Sequence, residues 1–363
     1  MEKKLFIGLM SGTSMDGIDA ALVEVEKNHV IDGITVAYQP EIKARLNALL
    51  DSSQISLKEL SELNTLLGQE FARATLQLLA KVKVDSSEIN AIGSHGQTVC
   101  HDANAAIPYT LQLGCAHTIA EKTGIQVVAD FRTRDLVNGG KGAPFAPIYH
   151  QLITKNQSYP LALVNIGGIA NITYLSNENE VLGYDVGPGN CLLDAWIYKN
   201  KAAYFDDEGK WAASGKIIEP LLNDLLSDPF FALEPPKSIG KEYFSLAWLN
   251  EKLRPNYLKE DIQATLLMLT ARGVADSLKK YPMPKALYLC GGGVHNKTLY
   301  KTLKNLLPEL KVESSALIGI DPNYLEAAMF AWFAERAVKQ IPLQLQSITG
   351  VKKKAIYGVI YPV

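Results

Sequence analysis

What this 363-residue chain has little of narrows its chemistry before any motif is read. Cysteine is scarce. The four cysteines at 100, 115, 191 and 290 form no Cys-x-x-Cys pair, so neither a zinc site nor a disulfide framework is expected, and a reducing compartment fits. No apolar run approaches the roughly 18 residues of a membrane span, and the start, MEKKLFIGLMSGTS, turns polar too soon for a secretory signal. Neither charge sign dominates: 36 Lys plus Arg face 38 Asp plus Glu, a formal −2, which leaves no footprint for nucleic acid or an anionic membrane. The one dense basic run, Lys352 to Lys354, reads as a solvated turn. No G-x-G-x-x-G opens a helix after a strand and no G-x-S-x-G is present, against a dinucleotide fold and a serine hydrolase. The expectation is a cytoplasmic protein with neither nucleic acid nor membrane as partner.

What is present is an ordinary globular composition, 47% hydrophobic and 20% charged, with length for about two domains. Glycine is the informative residue. Fourteen of the 27 glycines fall in five short windows, at 8–17, 139–142, 167–168, 183–189 and 291–293. Clustered glycines mark backbone that turns tightly or comes close to something.

Along the chain, LFIGLM and IDAALVEVE read as two strands around SGTSMDG, a hairpin with a long tip. Leu60, Leu63, Leu67, Phe71, Ala74 and Leu78 recur at helical steps and predict a helix over 57–82. LALVN, IGGIAN and ITYL over 161–175 echo the first hairpin. Further helices are expected from Asn190, over 259–280 and over 323–338, with a polar, aromatic excursion over 201–241. Strands, hairpins and helices in mixed order predict an α/β protein.

A seven-residue tip is costly in conformational entropy if it only joins two strands. Gly12 and Gly17 permit converging N–H groups, and Ser11, Thr13 and Ser14 add hydroxyls, so the tip suits a phosphate, with Asp16 and Asp19 facing a water-ligated magnesium ion. A polar hairpin loop is an equal alternative. GGGVHNKT is not a phosphate-binding G-x-x-x-x-G-K-T loop, because Asn296 stands where the glycine before Lys297 belongs. Ser94 and His95 are adjacent in a strand and face opposite ways, which leaves His95 as a hydrogen-bonded wall or core residue. Asp185 ends an apolar strand at YDVGPGN, where a base would be exposed; the other reading is a turn or helix-capping aspartate. In DFRTRD, Arg132 can clamp a carboxylate or phosphate, or belong to a salt-bridge knot with Asp130 and Asp135.

The run GLMSGTSMDGIDAALV, SHGQT, DFRTRD…GGKGAP, NIGGIAN, DVGPGN…LDAW, CGGGVHN and ITG…YGVIYP resembles the anhydro-N-acetylmuramic acid kinase family over essentially the whole chain. The resemblance implies a two-domain actin-like ATPase fold of the sugar kinase, Hsp70 and actin group, with ATP and Mg²⁺ in the interdomain cleft, and a homodimer. It implies domains at 1–130 with 341–363 and at 131–340. It places phosphates on Gly12, Thr13, Ser14, Met15, Asp16, Gly17, Ile18 and Asp19, with Asp16 at the metal. Gly167 and Gly168 support the phosphates, and Gly291, Gly292 and Gly293 approach the adenosine. Asp185 matches the family's base, and Val186 stands where the family usually has threonine. Arg132, Asp135 and Glu326 are the candidates for the sugar.

The implied reaction opens a 1,6-anhydro ring with water and phosphorylates O6, giving N-acetylmuramic acid 6-phosphate. Two rivals are a kinase for another anhydro sugar such as levoglucosan and a non-enzymatic actin-like nucleotide switch. A switch needs no base for an anomeric water, so Asp185 speaks against it.

Overall fold

The strand LFIGLMS is buried along its whole length, as a strand covered on both faces must be. In the computed structural model, which describes residues 5–12, 17–51, 54–235, 237–240 and 243–363, it is β1 (Leu5–Ser11). It pairs antiparallel with β2 (Ile18–Glu24), and β2 pairs antiparallel with β3 (His29–Val36). On its other side β1 runs parallel to β4 (Ile89–Asp102). The outer end of β4 carries β5 (Tyr109–Leu113) antiparallel, and its inner part runs parallel to β6 (Val127–Ala129).

A second sheet repeats this plan. β7 (Leu161–Ile166), β8 (Ile169–Leu175) and β9 (Val181–Pro188) form an antiparallel meander, and β7 is also parallel to β10 (Ala286–Cys290), which is parallel to β11 (Lys311–Ser314). The chain then returns to the first sheet, where β12 (Val359–Tyr361) pairs antiparallel with β6. Each sheet thus has three meander strands followed by strands parallel to the first, the doubled plan of the actin-like ATPase fold. The echo between the two hairpins is the visible trace of that doubling.

The chain divides into two compact units, Met1–Tyr149 with Tyr324–Val363, and His150–Asn323. Each has its own apolar core. The divisions therefore fall later than 130 and earlier than 340, and aromatic packing is the reason. Phe131, Phe145 and Tyr149 lie with ring centroids 5.6, 5.2 and 5.9 Å from Phe333, Phe333 and Trp332 of the helix Leu325–Val338. Both segments belong with the first sheet. The expected helix over 57–82 runs Leu57–Val82, with the Ser56 side chain accepting from Glu59 N at its start. The helix Lys259–Leu278 is buried along most of its length in the second unit. Among the described residues no helix is long and apolar enough to cross a membrane.

One contact fixes how the first unit is layered. Gly8 and Gly93 are register partners in β1 and β4. A Cβ on Gly8 would lie 1.7 Å from Ala327 O, and one on Gly93 would lie 2.0 Å from Phe330 O. Helix backbone therefore rests directly on strand backbone, which only glycine allows. Gly8, grouped by position with the hairpin tip, serves packing instead. Gly93→Ala forces the helix off the sheet and is expected to cost about 3 kcal/mol or more; denaturant unfolding reads it, and a loss below about 0.5 kcal/mol, the scale of a neutral surface change, would contradict this packing.

Candidate active site

In the first unit the candidate residues gather at the C-terminal ends of the parallel strands, where α/β sheets present their ligand sites. The base of the β1–β2 tip is tied by a buried network. Ser11 Oγ lies 3.0 Å from Gly17 O and 2.7 Å from Gln97 Oε1, and accepts from Tyr38 OH at 2.8 Å. Gln97 Nε2 donates to Gly12 O at 3.3 Å. The tip is thus held at both feet by side chains from β4 and from beyond β3. Thr13, Ser14, Met15 and Asp16 lie outside the described residues. Two neighbours also serve packing: the Ile18 side chain is wholly buried in the core, and a Cβ on Gly17 would meet Val36 O at 2.8 Å. Strand packing therefore accounts for both residue types.

Asp19 is half-buried on β2 and accepts from Thr35 Oγ1 at 2.6 Å. Glu326, in the first turn of the helix seated on the two glycines, is brought to the same region. Burial raises the Glu326 carboxyl above its usual range, the Asp19 charge raises it further, and the Arg132 charge pulls it back. Arg132 is half-buried too. Its Nε donates to His95 Nε2 at 2.9 Å, its Nη1 donates to Gly142 O at 2.6 Å, and its guanidinium lies 5.3 Å from the Phe145 ring centroid. Burial lowers its pKa to about 10, against the charges of Glu326 and Asp135, so it stays cationic at neutral pH. Asp19, Arg132 and Glu326 therefore form one electrostatic group.

Asp135 does not join them at a ligand surface. It is fully buried, with Oδ2 accepting from Gly142 N at 2.7 Å and Oδ1 accepting from Thr349 Oγ1 at 2.9 Å and Tyr357 OH at 3.1 Å. Expected beside the sugar, it instead knots the segment 139–142 to the C-terminal ITG and YGVIYP motifs. This explains that glycine cluster: a Cβ on Gly140 would lie 2.2 Å from Asp135 Oδ2, and Gly142 holds φ +69 while donating to Asp135 and accepting from Arg132.

In the second unit Asp185 lies near the end of β9. The β8–β9 ladder pairs Asn171 with Asp185 and Ala170 with Gly187, leaving Val186 without a counterpart. Such a bulge bends a strand and re-aims its side chains. Val186 points into the apolar core, where a threonine hydroxyl would need a partner. Asp185 is half-buried on the other face, and a strap from the 201–241 excursion closes on it. Asp185 N donates to Lys237 O at 3.0 Å, and Asp185 Oδ2 accepts from Ile239 N at 2.8 Å. Burial raises its pKa to about 6, against the Ile239 hydrogen bond and the Lys237 charge. Nothing local in the sequence announces this tether, which spans 54 positions.

The Gly167–Gly168 turn abuts the same strand end. Gly189 N, Asn190 N and Cys191 N donate to its carbonyls at 2.9, 2.8 and 3.1 Å. A Cβ on Gly189 would lie 2.3 Å from Gly167 O, so that glycine serves closure. Gly291 and Gly293 are likewise crowded, by Asn165 Oδ1 and the Ile166 side chain. Gly167, Gly168 and Gly292 are different. Their φ is not positive, and a Cβ on each would meet nothing closer than 3.7, 4.0 and 3.9 Å. The protein itself does not demand glycine at these three positions, and each leaves space in which a ligand can approach the backbone.

The residues also fit a magnesium ion in donor chemistry. Carboxylate oxygens suit this hard cation, which keeps several waters and binds through one or two carboxylates plus substrate phosphates. Asp19, half-buried on β2, is such a donor. Among the described residues no three His, Cys, Asp or Glu side chains cluster as a metal cage.

The model of one protein family, described as anhydro-N-acetylmuramic acid kinase, matches residues 4–363. A protein of that name from Legionella pneumophila strain Philadelphia 1 is 59% identical over 360 residues, 99% of this chain and 98% of the relative. Another of the same name from Coxiella burnetii strain Dugway is 47% identical over 365 residues, again 99% and 98% of the two. Among solved structures, component A of the (R)-2-hydroxyglutaryl-CoA dehydratase of Acidaminococcus fermentans is similar with a TM-score of 0.48 at 11% identity, covering 91% of this chain and 97% of that one.

The Asp185 surroundings make a direct prediction. In ¹³C spectra of carboxyl-labelled protein, Asp185 is expected to titrate at about 6, and Lys237→Met, which removes a nearby cation, to move that midpoint upward. An ordinary Asp midpoint of about 4, or a downward move in the variant, would contradict the assigned causes.

Proposed function

Because the chain belongs to the anhydro-N-acetylmuramic acid kinase family, we propose that Asp185 is the base of a reaction coupling ring opening to phosphoryl transfer. The supporting observation is a tethered, half-buried carboxyl with a pKa of about 6. Such a group is ionised at neutral pH yet basic enough to take a proton. Asp185 draws a proton from water as the water oxygen bonds to C1 of the 1,6-anhydro sugar. The C1–O6 bond breaks, O6 takes the γ-phosphoryl group of ATP, and ADP leaves. Asp185 then returns its proton to solvent. The products are N-acetylmuramic acid 6-phosphate and ADP. Water attack assisted by a carboxylate base is the chemistry of inverting glycosidases.

The other residues take roles around this step. The tip Gly12 to Asp19 and the Gly167–Gly168 turn hold phosphates through backbone N–H groups, and the space at Gly292 takes the adenosine side. Asp19, with Asp16, holds Mg²⁺, which when bound offsets charge on the phosphates. Arg132 receives the lactyl carboxylate and Glu326 a sugar hydroxyl. A half-buried guanidinium favours an anionic sugar over levoglucosan, which carries no charge. The enzyme acts as a homodimer in the cytoplasm, and sedimentation reads the mass.

Asp185→Asn keeps the shape of the side chain and removes the base. It is expected to bind ATP normally, to lose sugar-dependent ADP release by about 10³-fold, and to melt no lower than the wild type. A raised folded pKa means that the ionised carboxyl costs stability above about pH 6, and the amide escapes that cost. A variant that keeps activity within about ten-fold, short of the usual base contribution, would refute the role.

A further inference from the structure

We propose that His95 is a positioning residue that aims Arg132 at the carboxylate of the sugar. The proposal rests on the reading that Arg132 receives that group. His95 is buried in β4, with Nδ1 2.9 Å from Gly96 O and Nε2 2.9 Å from Arg132 Nε. A carbonyl only accepts and a guanidinium N–H only donates. The two neighbours therefore dictate one tautomer, with the proton on Nδ1 and a lone pair on Nε2. The ring has little freedom to leave it, since Phe330 packs against it, tilted by 34° with centroids 4.7 Å apart.

The partners of Arg132 are what make this a positioning device. Among the described residues, its hydrogen bonds go to an imidazole and to a backbone carbonyl, and one face lies over Phe145. All three are neutral. They fix the plane of the guanidinium without neutralising it, while Glu326 and Asp135 favour its charged form electrostatically. A carboxylate in the place of His95 would hold the arginine as firmly and compete with an incoming anion. A neutral imidazole holds it and leaves the positive charge to the ligand, an arrangement preorganised for a carboxylate.

Steady-state kinetics with 1,6-anhydro-N-acetylmuramic acid and with 1,6-anhydro-N-acetylglucosamine, which lacks the lactyl carboxylate, test this. His95→Leu is expected to raise KM for the muramic sugar about ten-fold or more, with kcat within about three-fold and KM for ATP unchanged. Turnover of the glucosamine sugar should not respond. His95→Gln, whose Oε1 can accept from Arg132 Nε, should recover most of the loss. In an Arg132→Ala background, His95→Leu should add nothing further, because the group it aims is gone. ¹⁵N spectra of the wild type should show His95 protonated at Nδ1 and accepting at Nε2. Effects of the two substitutions that multiply, or a protonated Nε2, would overturn the positioning role. A wild type that does not distinguish the two sugars would overturn the carboxylate reading instead, and the stated aim with it.

Discussion

The helix Leu325–Val338 rests backbone on backbone against β1 and β4, because Gly8 and Gly93 stand side by side beneath it. Much of the first unit follows from this seating. The helix brings Glu326 into electrostatic reach of Asp19 and Arg132. Its aromatic residues draw the segment 131–149 onto the same sheet, and Phe330 packs against the histidine that holds Arg132. The second unit uses the same device at Gly189, Gly291 and Gly293, where backbone or side chains of β7 and its turn leave no room for a Cβ. Glycines thus sort into three kinds. Many are where the protein touches itself; Gly124, Gly319 and Gly350 have room but hold a positive φ, and Gly167, Gly168 and Gly292 have room with no such φ.

The charged groups share a second pattern. Asp185 and Arg132 are each half-buried, and each is fixed by a neutral hydrogen-bond partner, the Ile239 N–H for one and the His95 imidazole for the other. A neutral partner orients a charge without cancelling it. Partial burial raises the cost of that charge, and a substrate of opposite sign or a transferable proton relieves it. The surface ion pairs of this protein, such as Lys81 with Asp32, hold both charges largely in solvent and contribute little by comparison.

Much of this was legible in the sequence, for physical reasons. Regular apolar spacing reports a buried face, so the helices over 57–82 and 259–278 were visible to within a few residues. The repeated strand, glycine turn and strand at 5–24 and 161–175 carried the doubled fold. Asp185 drew notice because it ends an apolar strand, a place that a turn or helix-capping aspartate fills as readily; only its match to the family's base singled it out. Three things were hidden. Spacing cannot say what a face packs against, so the segment 131–149 and the last helix were assigned to the wrong side of a boundary. Proximity in sequence to Arg132 made Asp135 look like part of a ligand site, although its oxygens turn inward to Gly142, Thr349 and Tyr357. The tether on Asp185 comes from a distant segment with no motif of its own.

The account stands on a base and a phosphate donor acting on one sugar in a single coupled reaction. Turnover of 1,6-anhydro-N-acetylmuramic acid with ATP in ¹⁸O-labelled water, followed by mass spectrometry of the product, tests that most directly. The predicted product carries one ¹⁸O at C1 and unlabelled oxygen in the bridge between C6 and phosphorus. Phosphorylation without ring opening, or label in that bridge, would contradict it.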